Sequence, residues 1–101
     1  MKYHKSGVYL LHFDTPLQHA RHYIGYAGDI ERRLALHRAG GGARILAVCL
    51  ERGITWRLVR TWPGTRQTER ALKRQKHGPR LCPVCNPAVE QPHKRRARKA
   101  A

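Results

Sequence analysis

Acidic residues are scarce in this chain: 6 Asp and Glu stand against 21 Lys and Arg among 101 residues, a formal charge of +15. A two-metal site built on clustered carboxylates is hard to assemble from them. Asp14, Asp29, Glu31 and Glu51 suit turn, capping or surface-helix roles, Glu90 lies beyond the part that can pack, and only Glu69 is left over. Long apolar runs are missing too. The stretch Ile45 to Leu50 is far short of the ~20 residues that cross a bilayer, and no secretory apolar segment follows Met1. The sequence therefore points to an intracellular, cytoplasmic protein with no membrane partner. Cysteine is limited to Cys49, Cys82 and Cys85, which excludes a fully paired disulfide framework and suits a reducing compartment. A chain of 101 residues has material for one modest core and not two.

What the chain has in abundance is positive charge. The part up to Pro63 holds 10 basic and 4 acidic residues and the remainder holds 11 and 2, so the excess belongs to the body as well as to the basic end. Such a charge is beyond what solubility requires and predicts a polyanionic partner, DNA first among them.

Val8 to Phe13 is apolar except for His12 and reads as a central strand covered on both faces. Asp14-Thr15-Pro16 predicts a turn, and Arg21 to Tyr26 a second strand returning beside the first through a long loop. Asp29 caps a helix over Ile30 to Arg38, stopped by Gly40-Gly41-Gly42, and Ala43 to Arg52 forms a second helix closed by Gly53. Ile54 to Trp62 alternates as a third strand with one imperfect face. Thr65 caps a third helix reaching about Lys76, ended by His77-Gly78-Pro79. The expected fold is α+β, a small three-stranded antiparallel sheet flanked by helices. Residues 1–80 form its domain, residues 81–92 an extension carrying Cys-Pro-Val-Cys, and residues 93–101 a basic, disordered tail.

Several polar residues fall where they could share one site. Arg33 and His37 lie one helical turn apart, on the face of Ile30 and Leu34. Arg32 faces solvent. Tyr9 and Tyr23 sit on adjacent strands, where a phenol can exchange a proton while its ring packs, although ordinary strand aromatics would look the same. Glu69 is the carboxylate without another duty, though an i,i+4 pair with Lys73 would account for it equally.

The blocks Gly7-Val8-Tyr9 and Tyr23-Ile24-Gly25, followed by Arg33, His37 and Glu69, resemble the GIY-YIG endonuclease family over roughly residues 6 to 77, the first block being a mild variant. The resemblance implies a one-metal endonuclease that hydrolyses DNA phosphodiesters. Tyr9 would serve as general base or water positioner, Tyr23 would support the phosphate or nucleophile, Arg33 would bind the scissile phosphate, His37 would arrange the site and Glu69 would hold Mg²⁺ or Mn²⁺. Gly25, Lys73 and Arg44 are the candidate substrate contacts, and Gly7 and Gly25 are places for close backbone approach or simple strand irregularities. Excision-repair members carry an asparagine a little beyond the glutamate, and only Asn86 answers to it here.

Cys82 and Cys85 supply half of a zinc site, for which His77, Cys49 or His93 would complete the ligand set; a redox pair and plain buried thiols are the alternatives. The basic tail reads as a nonspecific DNA-binding arm, and with no separate recognition domain attached, substrate choice falls to DNA shape, the tail or a partner protein. Two rival functions remain from other classes: a non-catalytic nucleic-acid-binding module of this fold, and a small basic zinc adaptor.

Overall fold

Alternating strands and well-marked helix ends produce the architecture of the computed structural model, which describes residues 3–75 and 78–88. β1 (Gly7–Leu17), β2 (Ala20–Ala27) and β3 (Trp56–Trp62) form one antiparallel sheet in the order β2-β1-β3. α1 (Ile30–Arg38) and α2 (Arg44–Glu51) join β2 to β3, and α3 (Arg66–Gln75) and the single turn α4 (Gly78–Leu81) follow. This is the α+β arrangement of a small sheet and flanking helices that the sequence predicts.

Because β1 is central, its apolar residues are needed on both faces, and Val8 to Phe13 are all buried. Tyr9, Leu11 and Phe13 point to one side, packing with Ile30 and Leu34 of α1 and Leu46 and Cys49 of α2. Val8 and Leu10 point to the other, against Ile24, Val59, Cys82 and the half-buried Leu72 of α3. The helix ends follow from side-chain and backbone chemistry. Asp29 accepts the Arg32 N–H at 3.2 Å. Gly40, at φ +86°, donates to the His37 carbonyl while Gly41 donates to that of Leu36, both at 3.0 Å, a Schellman closure.

The first hairpin departs from expectation. Asp14, Thr15 and Pro16 continue β1 instead of turning, and the reversal is the short Gln18-His19 turn, with Gln18 at φ +57°. Pro16 has no N–H for a ladder, and the pairing shifts between His12 and Leu17, so the irregularity lies within the strand and the long loop does not exist. The imperfect face of β3 also has a cause. Pairing passes from Leu10–Arg60 to Leu11–Leu58, leaving Val59 as a bulge, so Trp56 and Leu58 pack on one side and Trp62 on the other.

Gly78 and Pro79, expected only to end α3, open α4. From there to Ala88 the chain returns to the sheet: Cys82 is fully buried, and Arg60 Nη1 donates to the Leu81 carbonyl at 2.9 Å. His77, Glu90, His93 and the basic tail lie outside the described residues. Among the described residues, no helix is long and apolar enough to cross a membrane.

Candidate active site

Tyr9 stands at the middle of the sheet, paired with Gly25 on one side and Thr61 on the other. A Cβ at Gly25 would stand 2.5 Å from the Tyr9 hydroxyl, so the space left by that glycine is filled by the phenol. Gly7, at φ +127°, is a close backbone approach of another kind: a side chain there would collide with the Trp62 carbonyl.

The buried ring of His37, near the end of α1, meets Tyr9 with Nε2 2.8 Å from the phenol oxygen. Its Nδ1 accepts the Ala43 N–H at 3.2 Å, and a backbone amide can only donate. A neutral imidazole with its lone pair on Nδ1 carries its proton on Nε2, so His37 donates to Tyr9 and leaves the phenol hydrogen free to point elsewhere. Burial first, then the charge of Arg33, holds the His37 pKa below 6.5, which preserves this neutral form. Gly42 is part of the device. A Cβ there would overlap His37 Nδ1, so the glycine run that ends α1 also lets the next loop ride directly over the ring.

Tyr23 completes an aromatic group, its ring centre 6.2 Å from that of Tyr9 and 5.8 Å from that of His37. Arg33, half-buried on α1, acts on both Tyr9 and His37, and also borders an open groove shared with Arg32, Gly28 and Leu36. Glu69 comes from α3. Its side chain is only 12% exposed, so it sits on a packed face and not an open one, and Lys73 Nζ lies 2.9 Å from its carboxylate. The same ammonium lies 5.4 Å from the centre of the Tyr23 ring. Burial above all, followed by Tyr23 and opposed by Arg33, raises the Tyr9 pKa well above 10, with Glu69 adding to the rise. At neutral pH Tyr9 is therefore a phenol.

The structure thus brings Tyr9, Tyr23, Arg33, His37, Glu69 and Lys73 together. Arg44 stands exposed at the first position of α2. Asn86 belongs to the turn after Cys82, where its side chain donates to the Arg80 carbonyl at 2.9 Å and its oxygen accepts the Ala88 N–H at 3.2 Å.

On the opposite face of the sheet lies a second polar cluster that can hold a metal ion. His12, His22, Cys82 and Cys85 place one ligand atom each within 4.8 Å of all the others. Of the partners expected for the two cysteines, Cys49 is corrected, being buried on α2 at the far side of the sheet, and two strand histidines come forward instead; the expected His77 and His93 lie outside the described residues. Burial, with His12 and Arg21 adding to it, pushes His22 down to about 4, and burial with Arg21 and Arg57 lowers His12. Both rings keep a free lone pair at neutral pH. Burial and the neighbouring Cys82 raise the Cys85 thiol. The signal in the sequence was strand parity, since His12 shares a face with Val8 and Leu10, and His22 with Ile24 and Tyr26. No family model, curated protein or solved structure matches this chain.

Proposed function

We propose that the chain is a metal-dependent DNA endonuclease of the GIY-YIG type, hydrolysing backbone phosphodiesters through a one-metal site. The observation that carries this reading is the convergence of Tyr9, Tyr23, Arg33, His37 and Glu69, from four separate elements, in a protein of formal charge +15. Such a set has the parts hydrolysis needs: a group to orient water, a cation for the phosphate and a carboxylate for a hard metal ion.

On this reading Arg33 binds the scissile phosphate and offsets the charge that grows on it as the water oxygen bonds to phosphorus and the bond to the leaving oxygen breaks. His37 fixes the Tyr9 phenol by its Nε2–H, and the remaining lone pair of the phenol oxygen orients the attacking water. To take the proton of the attacking water Tyr9 must first lose its own, and the resulting phenolate, which burial disfavours, would need the charge of Arg33 to offset it before it returns to the phenol. Glu69 already holds a cation in Lys73, and Mg²⁺ or Mn²⁺ would take that place, leaving Lys73 to the Tyr23 face or to a phosphate. When bound, the ion supplies Lewis-acid stabilisation of the phosphate and the leaving oxygen.

The test is to incubate the protein with supercoiled, linear and branched DNA, with and without Mg²⁺ or Mn²⁺. Metal-dependent cutting is expected, lost in Glu69→Gln while DNA binding stays nearly unchanged. Wild-type cutting by that variant would remove the one-metal assignment. A nucleic-acid-binding module without turnover is the second reading, favoured by the Lys73 ion pair at Glu69 and by a Tyr9 that rests protonated. Tight DNA binding with no cutting under any metal would decide for it.

A further inference from the structure

We infer that His12, His22, Cys82 and Cys85 bind a structural Zn²⁺ that fastens the segment after α4 to the β1–β2 hairpin. The distances are those of a coordination shell. His12 Nδ1 lies 3.4 Å from His22 Nε2, 3.5 Å from Cys82 Sγ and 3.6 Å from Cys85 Sγ, and His22 Nε2 lies 3.4 Å from Cys85 Sγ. A tetrahedron with Zn–N of about 2.0–2.1 Å and Zn–S of about 2.3 Å has edges of about 3.3–3.4 Å between nitrogens and about 3.6 Å between nitrogen and sulfur.

Hydrogen bonding does not account for the same arrangement. A neutral imidazole nitrogen has one hydrogen or one lone pair, yet three polar atoms crowd His12 Nδ1 within 3.6 Å. A cation at the centre gives all four atoms one shared partner. Two sulfurs and two imidazole nitrogens select Zn²⁺ over Mg²⁺ or Mn²⁺, which prefer oxygen. Four protein ligands leave no open position, so the ion is structural, and its chemistry is separate from that of Glu69 on the Tyr9 side.

The backbone prepares both halves. His12 and His22 are directly opposite one another in the β1–β2 register, on the face shared by Val8, Leu10 and Ile24. The Cys82–Cys85 turn is closed by the Asn86 N–H, which donates to the Cys82 carbonyl at 2.7 Å, while the Asn86 side chain holds the carbonyl of Arg80. Asn86 therefore has a role as the closing residue of the metal-binding turn.

The experiment uses the full chain, purified under reducing conditions without added metal, and reads metal by elemental analysis, independently of any cleavage assay. One zinc per chain is expected, and replacing it with Co²⁺ should give the visible absorption of tetrahedral cobalt together with a near-ultraviolet thiolate charge-transfer band. Cys85→Ser, at an exposed position, and His22→Gln should each fall well below stoichiometric zinc, whereas Cys49→Ala should keep it. Should a ligand variant fail to fold, the cobalt spectrum of the wild-type chain still decides. Absence of stoichiometric metal from the wild type or a cobalt spectrum without thiolate bands would overturn the site.

Discussion

The Ala43 amide sets the state of the His37 ring. It holds the lone pair of His37 on Nδ1, so the Nε2 proton goes to Tyr9 and the phenol is left with one hydrogen and one lone pair to offer. A Tyr9 pKa raised well above 10 makes a clear prediction about pH. If phenolate is the reactive form, its fraction grows about tenfold per pH unit below that pKa, so the cleavage rate should climb without a plateau between about pH 6.5 and 9.5. Tyr9→Phe keeps the ring and its packing, and should lose about 10²-fold or more in rate together with the slope. A plateau near neutrality in the wild type would assign water activation to a group other than Tyr9. Gly42 sits at the same scale. Gly42→Ala presses a methyl into the His37 ring, and thermal unfolding should register a loss of about 1–3 kcal/mol; unchanged stability would mean that the loop lifts off the ring at no cost.

At the scale of elements, α1 was readable because its period is unambiguous. Ile30, Leu34 and His37 share the buried face, and Arg33 borders it while Arg32 is exposed, as the helical spacing predicts. Arg33→Ala should accordingly cost about 10²-fold or more in cleavage, and Arg32→Ala far less. Equal, small losses measured on the same DNA would show that the phosphate is bound elsewhere. The hairpin was less readable. His12 and His22 can reach one metal ion only because β1 and β2 pair in one register, and that register depends on an irregular stretch, Asp14 to Pro16, whose composition reads as a turn. A two-residue reversal at Gln18-His19 with a shift inside β1 cannot be counted out from residue types, so Cys82 and Cys85 were visible as half a site while their partners were not. The bulge at Val59 had the same effect in milder form, blurring the alternation of β3 without hiding the strand. Tyr9, His37 and Glu69 were legible as candidates. Their geometry was not, since the Lys73 pair, the Gly42 contact and the burial of Glu69 depend on how α1, α3 and the sheet come together.

Across the molecule as a whole, basic residues lie on the sheet, as Arg57 and Arg60 do, as well as on the helices, as Arg32 and Arg66 do. Cations stand over aromatic rings at several places on the body, Arg38 4.2 Å from the Trp56 ring centre, Arg60 4.6 Å from that of Trp62 and Arg66 5.4 Å from that of Tyr26. Such pairs combine a phosphate contact with a flat surface on which a base can stack. If the chain binds DNA as proposed, these pairs on the folded body offer it contacts, to which the five basic residues Lys94, Arg95, Arg96, Arg98 and Lys99 would add charge. Deleting residues 94–101 should weaken binding and reduce the dependence of log affinity on log salt by about 4 to 5 units if every one of those residues contacts a B-DNA phosphate, and by proportionately less if fewer do. The motif residues Tyr9, Tyr23, Arg33, His37 and Glu69 all precede the deletion, as do the four candidate zinc ligands. Maximal cleavage at low salt and saturating DNA should consequently stay close to that of the full chain, as should its zinc content. Binding and cleavage measured across a salt series on both chains separate the contributions: an unchanged salt slope would show that the tail does not touch DNA, and a collapsed rate at saturation would make it part of the fold or of the site.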